Sequence, residues 1–192
     1  NTRFRWSTSA TGEAGAHDLE SVALHELGHL LGLGHSALGE TEVSGSGRRV
    51  LSTGAVMFPI AWPAGSIADR VLQADDIAGV RDLYDALPAS EFGSIQGRVT
   101  KNGSGVYGAH VVAFGLESGL MVGGYTLNAD GEFVIAGLTK GPYVLRMASN
   151  FEPTQANISM TSYCTASNGR LAGGRANMFT HLLVTSGSWH CS

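Results

Sequence analysis

Three histidines, a glutamate and a glycine at fixed spacing constrain this chain more than any other feature. The stretch His25-Glu26-Leu27-Gly28-His29-Leu30-Leu31-Gly32-Leu33-Gly34-His35 reads H-E-x-x-H-x-x-G-x-x-H. On a helix, His25 and His29 leave the same face one turn apart. That spacing lets two ring nitrogens reach one Zn²⁺ at about 2.0–2.1 Å each. Glu26 points beside such an ion, where it can hold and deprotonate a water without being a ligand. Gly32 can adopt a left-handed conformation, end the helix and turn the chain back. The turn returns His35 as the third ligand and leaves a fourth position for water, which marks a catalytic site and not a structural one. The competing reading is a core helix carrying three histidines by chance; Gly32 and His35 at set positions lower that chance about a thousandfold.

Two further segments follow in order. They are Ala55-Val56-Met57-Phe58-Pro59, and Leu72 to Tyr84 with the acidic pair Asp75-Asp76. The histidine segment resembles the zinc-binding consensus of the metzincin endopeptidases, and Ser36 directly after the third histidine resembles the matrixin branch. Residues 55–59 are similar to the matrixin Met-turn, with Phe58 in place of the usual Tyr. Residues 72–84 resemble the family's C-terminal helix. Together the three motifs cover residues 18–85, less than half the chain.

The resemblance implies an α+β fold: the C-terminal part of a metzincin-like catalytic domain, with active-site helix, Met-turn and C-terminal helix. It implies one catalytic Zn²⁺ on His25, His29 and His35, with Glu26 as general base for a metal-activated water that attacks a peptide carbonyl. Met57 would form an apolar floor beneath the metal. Ser21, Pro59 and Ile60 would line the pocket for the substrate residue after the cleaved bond. A small Ser21 would leave that pocket roomy for a large apolar residue, and residues 60–70 would form its outer wall. Asp75 and Asp76 match an acidic pair that supports the Met-turn backbone; helix capping and dipole compensation explain the same pair without reference to any site.

Two departures stand out. From His35 to Met57 the chain is longer than in matrixins and passes through the flexible-looking Ser44-Gly45-Ser46-Gly47-Arg48-Arg49, expected as a surface insertion beside the cleft. Few residues precede His25, so the part of the family that holds its twisted sheet, structural zinc and calcium loops and inhibitory segment is missing here: either the chain is a fragment of a longer protease or that upper half has been lost. Ca²⁺ is expected only through such a segment. The start at Asn1 reads as a mature product or an excised piece.

Around the motif, Phe4 to Ser7 suggests a short strand and Thr8 to Gly15 a loop. Asp18 is a good N-cap for the helix, which would run to Leu31 with Val22, Leu24, Leu27, Leu30 and Leu31 as its apolar body. His17 is expected at the surface or in packing. In the second helix Ile77, Val80, Leu83 and Tyr84 recur at helical spacing and predict a buried face.

Beyond residue 93 the period changes to short strands separated by Gly, Asn and Asp turns. They are expected near residues 94–100, 109–114, 121–126, 132–135 and 143–147, with a hairpin turn at Asn128-Ala129-Asp130-Gly131. The pattern predicts an all-β sandwich. Gly97-Arg98-Val99, Gly108 to Val111, Thr126 to Phe133 and Gly141-Pro142-Tyr143 resemble a carboxypeptidase regulatory-like (prealbumin-like) domain, which implies a non-catalytic spacer or adhesion module. The expected organisation is a partial protease region at 1–88, a linker at 89–93, the sandwich at 94–150 and a Cys-containing extension at 151–192. His110 alone in a strand is expected as a packing residue.

A net charge of −4 without any Lys/Arg run argues against a nucleic-acid partner. No apolar stretch approaches the ~20 residues that span a bilayer. With a secreted-protease resemblance upstream, Cys164 and Cys191 are expected to form a disulfide in an extracellular, monomeric protein. The function expected is zinc-dependent endopeptidase action on protein or peptide substrates. The alternative is a non-catalytic extracellular surface or adhesion module carrying a partial or inactive protease region.

Overall fold

A parallel pair of two-residue strands, β1 (Trp6–Ser7) and β2 (His17–Asp18), leads into helix α1 (Leu19–Leu30). The computed structural model describes residues 3–44, 47–84, 92–149, 164–165, 182–185 and 190–191, and it divides into two units, Asn1–Tyr84 and Asp85–Ser192. Asp18 caps α1 as its sequence position suggests, accepting from the Ser21 amide at 2.9 Å. The helix ends at Gly32, whose φ is +97°. The Gly32 amide donates to the His29 carbonyl and the Leu33 amide to the Gly28 carbonyl, each at 3.0 Å. That is the Schellman pattern, and it satisfies carbonyls that a helix end otherwise leaves bare.

The segment expected as a flexible insertion forms an antiparallel hairpin. Strands β3 (Gly39–Ser44) and β4 (Gly47–Thr53) pair from Gly39 opposite Thr53 up to Ser44 opposite Gly47, with an irregularity between Glu40 and Thr41. Its polar, Gly-rich composition hid two buried anchors, Leu38 and Val50. A 3-10 turn (Ala68–Arg70) and helix α2 (Ala74–Tyr84) complete the first unit.

The two helices do not bury the apolar faces that their spacing predicts. Leu27, Leu30 and Leu31 of the α1 segment are exposed, Leu30 to 79%, while Val22 and Leu24 are half-buried. On α2 the buried residues are Asp76 and Ala78; Ile77, Leu83 and Tyr84 are exposed and Val80 is half-buried. The helices make their close approaches through small residues instead. A Cβ at Gly28 would land on the Met57 sulfur, and one at Gly79 would press on the Leu33 side chain. Glycine at these points, not leucine, sets where the helices touch.

The second unit is all-β. Strand β5 (Phe92–Arg98) is followed by the short pair β6 (Thr100–Lys101) and β7 (Ser104–Gly105). Then come β8 (Ala109–Gly115), β9 (Met121–Tyr125), β10 (Glu132–Thr139) and β11 (Pro142–Ser149). The short pieces β12 (Cys164–Thr165), β13 (Leu182–Thr185) and β14 (His190–Cys191) close the chain. One sheet pairs β10 with β5; another runs β13-β11-β8-β9. Their inner side chains, among them Ile95, Val111, Phe133, Ile135 and Leu145, are almost wholly buried, as is Val99 just beyond β5. Alternation along β8 and β10 produces this, because successive side chains point to opposite faces.

Three expectations change here. Asn128 to Gly131 does form a turn, with Gly131 at φ +75° and its amide on the Asn128 carbonyl. It joins strands of different sheets, so it is not a hairpin turn. Phe92 and Gly93, read as linker, begin β5, while the rest of that linker lies outside the described residues. Part of the expected extension also joins the fold, since β13 pairs with β11 at the edge of the larger sheet. Among the described residues no helix is long and apolar enough to cross a membrane.

Candidate metal centre and cleft

Helix α1 places His25 and His29 on one face, and the Gly32 turn brings His35 to meet them. Each of the three residues offers a ligand atom within 4.8 Å of the others. His25 Nδ1 lies 2.8 Å from the Val56 carbonyl, and His29 Nδ1 lies 2.9 Å from the Leu33 carbonyl. A carbonyl oxygen only accepts, so both Nδ1 atoms carry the proton and donate. The Nε2 lone pairs of these rings are thereby left for a cation. The Leu33 carbonyl belongs to the turn that Gly32 makes possible, so helix termination and ring orientation are one event.

The donor set fits a single ion. His29 Nε2 and His35 Nε2 are 3.2 Å apart. Two tetrahedral ligands at about 2.0–2.1 Å from Zn²⁺ would stand about 3.3–3.4 Å apart. Three imidazoles, with no fourth protein donor among the described residues, match the ligand chemistry of a catalytic zinc more closely than that of a structural one.

Behind the histidines a polar scaffold holds the loop. Asp76, buried to 3% exposure, accepts from the amides of Val56 at 2.9 Å and Met57 at 3.1 Å. It also accepts from the Gln73 amide at 2.8 Å, the return half of a capping box at the start of α2. Asp75 does a different job from its neighbour. It accepts from the Ser36 hydroxyl at 2.6 Å, while the Ser36 amide donates to the Met57 carbonyl at 2.9 Å. The two acids therefore pin the segments on either side of the metal centre. Met57 is buried, with its sulfur against α1 at Gly28, between the turns that carry His25 and His29.

A cavity of about 180 Å³ opens beside His25 and Glu26. Ser21 and Pro59, expected in a pocket, line it, as do Val22, Val56, Phe58 and Trp62; Ile60 is not in the lining. Ser66 and Asp69 of the stretch 60–70, expected as the outer wall, line it too; so do Asp18, read from the sequence only as a helix cap, and His17, read only as a surface or packing residue. Trp62 Nε1 donates to Asp69 at 3.0 Å, and the Thr53 hydroxyl donates to the same oxygen at 2.8 Å. His17 also packs edge-on against Phe4, with ring centroids 5.2 Å apart.

Asp18 carries more than the cap. Arg70 donates to it through Nε at 2.9 Å and Nη2 at 2.5 Å, and reaches the Ser9 carbonyl at 2.7 Å. The Arg70 hydrogen bonds hold the Asp18 carboxyl well below the usual carboxylate range, against a desolvation that pushes the other way. Glu26 is exposed at the cavity mouth, and no hydrogen-bond or ion-pair partner holds its carboxylate among the described residues.

A helix bearing two of three convergent imidazoles, a left-handed glycine turn and a methionine beneath them define a metzincin-type region. More particularly, residues 2–85 match the matrixin family model, and residues 94–167 match that of the carboxypeptidase regulatory-like domain. The first stretch is a matrixin region and the second a carboxypeptidase regulatory-like domain.

Among curated relatives, Metalloendoproteinase 1-MMP of Arabidopsis thaliana is 42% identical over 80 residues, which is 42% of this chain and 18% of that protein. Metalloendoproteinase 1 of Glycine max is 42% identical over 73 residues, 38% of this chain and 19% of that protein. Stromelysin-2 of Rattus norvegicus is 36% identical over 87 residues, 45% of this chain and 14% of that protein. The chain thus spans under a fifth of the length of these relatives. No solved structure matches it.

Proposed function

We propose that the matrixin region is a zinc-dependent endopeptidase centre acting on protein or peptide substrates. One observation carries the reading: His25 and His29 each commit Nδ1 to a backbone carbonyl, so their Nε2 atoms converge with that of His35 beside Glu26, which has no partner among the described residues. His25, His29 and His35 would hold the ion through these nitrogens. When bound, zinc supplies a Lewis acid that polarises the scissile carbonyl and makes water a nucleophile near neutral pH. Glu26 takes the proton from the attacking water on its carboxylate and passes it to the leaving amine nitrogen. Among the described residues no cation pairs with Glu26, which leaves that carboxylate available as a base. The cavity beside it receives the side chain that follows the cleaved bond, its apolar side formed by Val22, Val56, Phe58 and Trp62. Met57 fills the space beneath the histidines, its sulfur against Gly28.

The carboxypeptidase regulatory-like domain is read as a non-catalytic β-sandwich that follows the protease region in the sequence, on a secreted monomer. The Cα register sets Cys164 directly opposite Cys191 in an antiparallel pair. Such residues stand about 4.5–5.5 Å apart at Cα, inside the range that a disulfide spans.

The test is cleavage of a quenched mixed-peptide substrate by this chain supplied with zinc, with Glu26→Ala alongside. The expected result is turnover that falls by about 10²–10⁴-fold in the variant while zinc binding persists. Equal turnover in both proteins would remove Glu26 from its role. Zinc binding without turnover in either would favour the non-catalytic module.

A further inference from the structure

The hairpin β3–β4 touches the cleft at its base, and it does so twice. Gly39 and Thr53 are direct partners in its first rung. Gly39 faces the ring of Phe58 so closely that a Cβ there would strike three ring carbons. Thr53 donates its hydroxyl to Asp69 at 2.8 Å. Phe58 and Asp69 both line the cavity beside Glu26. Thr53 and the Trp62 indole donate to the same Asp69 oxygen, so the hairpin base, the acid and the tryptophan wall are joined in one chain of contacts. The buried anchors Leu38 and Val50 hold the rung in place, and the Gly54 amide locks onto the Leu38 carbonyl at 2.7 Å. Farther from the cleft the hairpin carries an exposed Arg49–Glu42 ion pair, which has little structural weight.

We propose that this hairpin is a specificity element, with Gly39 and Thr53 as positioning residues that set the width of the cavity through Phe58 and Asp69. The proposal rests on the reading of that cavity as the pocket for the substrate residue after the cleaved bond. Neither residue touches the reacting atoms; each fixes a wall. Losing the Thr53 hydroxyl leaves the shared Asp69 oxygen with the Trp62 donor alone and frees the wall to relax. Adding a methyl at Gly39 forces the Phe58 ring to shift. Both changes therefore alter which side chains fit while leaving the histidines and Glu26 in place.

The experiment compares peptides that differ only in the residue after the cleaved bond, carrying Ala, Leu or Trp there. The full chain is assayed with Thr53→Val, Gly39→Ala and the hairpin-tip variant Glu42→Ala. Zinc content and unfolding midpoint are measured for each. Affinities of non-cleavable analogues of the same peptides are read by calorimetry. The expected result is a change of about fivefold or more in the Trp-to-Ala ratio of kcat/KM, and in the affinity ratio, for Thr53→Val and Gly39→Ala. Zinc content and the Glu42→Ala ratios stay as in the parent. Should one of the two variants fail to fold, the other still decides, because they act through different lining residues, Asp69 and Phe58. Peptide cleavage with unchanged ratios in the folded variants would overturn the hairpin proposal alone. A parent that neither cleaves nor binds any of the peptides would overturn the endopeptidase reading and the hairpin proposal with it.

Discussion

Asp76 and His25 grip the same residue from opposite sides. The Asp76 carboxylate receives the Val56 amide at 2.9 Å, and the Val56 carbonyl accepts from His25 Nδ1 at 2.8 Å. A buried acid on α2 thus orients an imidazole on α1 through one residue, and it also accepts from the Met57 amide of the peptide unit whose carbonyl meets His25.

Asp76→Ala removes the acceptor for three backbone amides, at Val56, Met57 and Gln73. A buried amide left unpaired costs about 1–3 kcal/mol, so the loss of stability should be about 3 kcal/mol or more. Because His25 loses its fixed partner, zinc affinity should also fall by about 10–100-fold. A chelator competition titration together with denaturant unfolding checks both.

Gly32→Ala places a Cβ at φ +97°, where L-residues are strained. The expected cost is about 1–3 kcal/mol. The larger consequence is positional, since the same turn supplies the Leu33 carbonyl for His29 and the approach of His35. Weaker zinc retention on dialysis than in a Leu30→Ala control, at an exposed position on the same helix, would show that the turn acts through the ligands. Equal retention would show that it does not.

Arg70 lowers the folded-state pKa of Asp18. A depressed carboxylate contributes stability that is present above its unfolded value, about 3.9, and is lost as the pH falls through the folded value. Arg70→Met should raise the folded value toward normal. The protease region of the variant should be less stable at neutral pH, and its stability should depend less on pH below about 4. Acid titrations followed by far-UV circular dichroism, run on parent and variant, check the difference.

His110 gives the opposite acid–base case in the second unit. It is buried and stacked on Tyr125 with ring centroids 5.0 Å apart, and burial together with the nearby Arg146 charge lowers its pKa to about 4. The unfolded chain takes up a proton near pH 6.5 while the folded one does not, so stability falls as the pH drops from about 6.5 to 4. His110→Phe should abolish that slope, worth about 3 kcal/mol across the window. Urea midpoints measured through this range test it.

Local chemistry was readable without the fold. Asp18 caps because its side chain reaches an amide three residues on, and Gly32 turns because it has no Cβ; neither depends on distant residues. The strands of the second unit were legible for the same reason, since alternation is a local pattern. One local signal went unused: Lys101-Asn102-Gly103-Ser104 is a two-residue hairpin turn with φ of 53° and 84° at its centre, the Asn-Gly signature of such turns. The apolar stripes of α1 and α2 misled, because periodicity says which residues share a face but not what meets that face.

By itself, the sequence determined the helix, its two ends, the common face of His25 and His29 and the return of His35, because all of these follow from backbone preferences within a few turns of chain. Only the tertiary structure decided what surrounds them. The Arg70–Asp18 pair joins residues 52 apart, Ser36 meets Asp75 across 39, and Thr53 and Trp62 converge on Asp69 from different segments. Such contacts leave no spacing in the sequence, since they depend on where separate elements come to rest. Charge pairing and hydrogen bonding select a partner by position in space, which packing alone supplies.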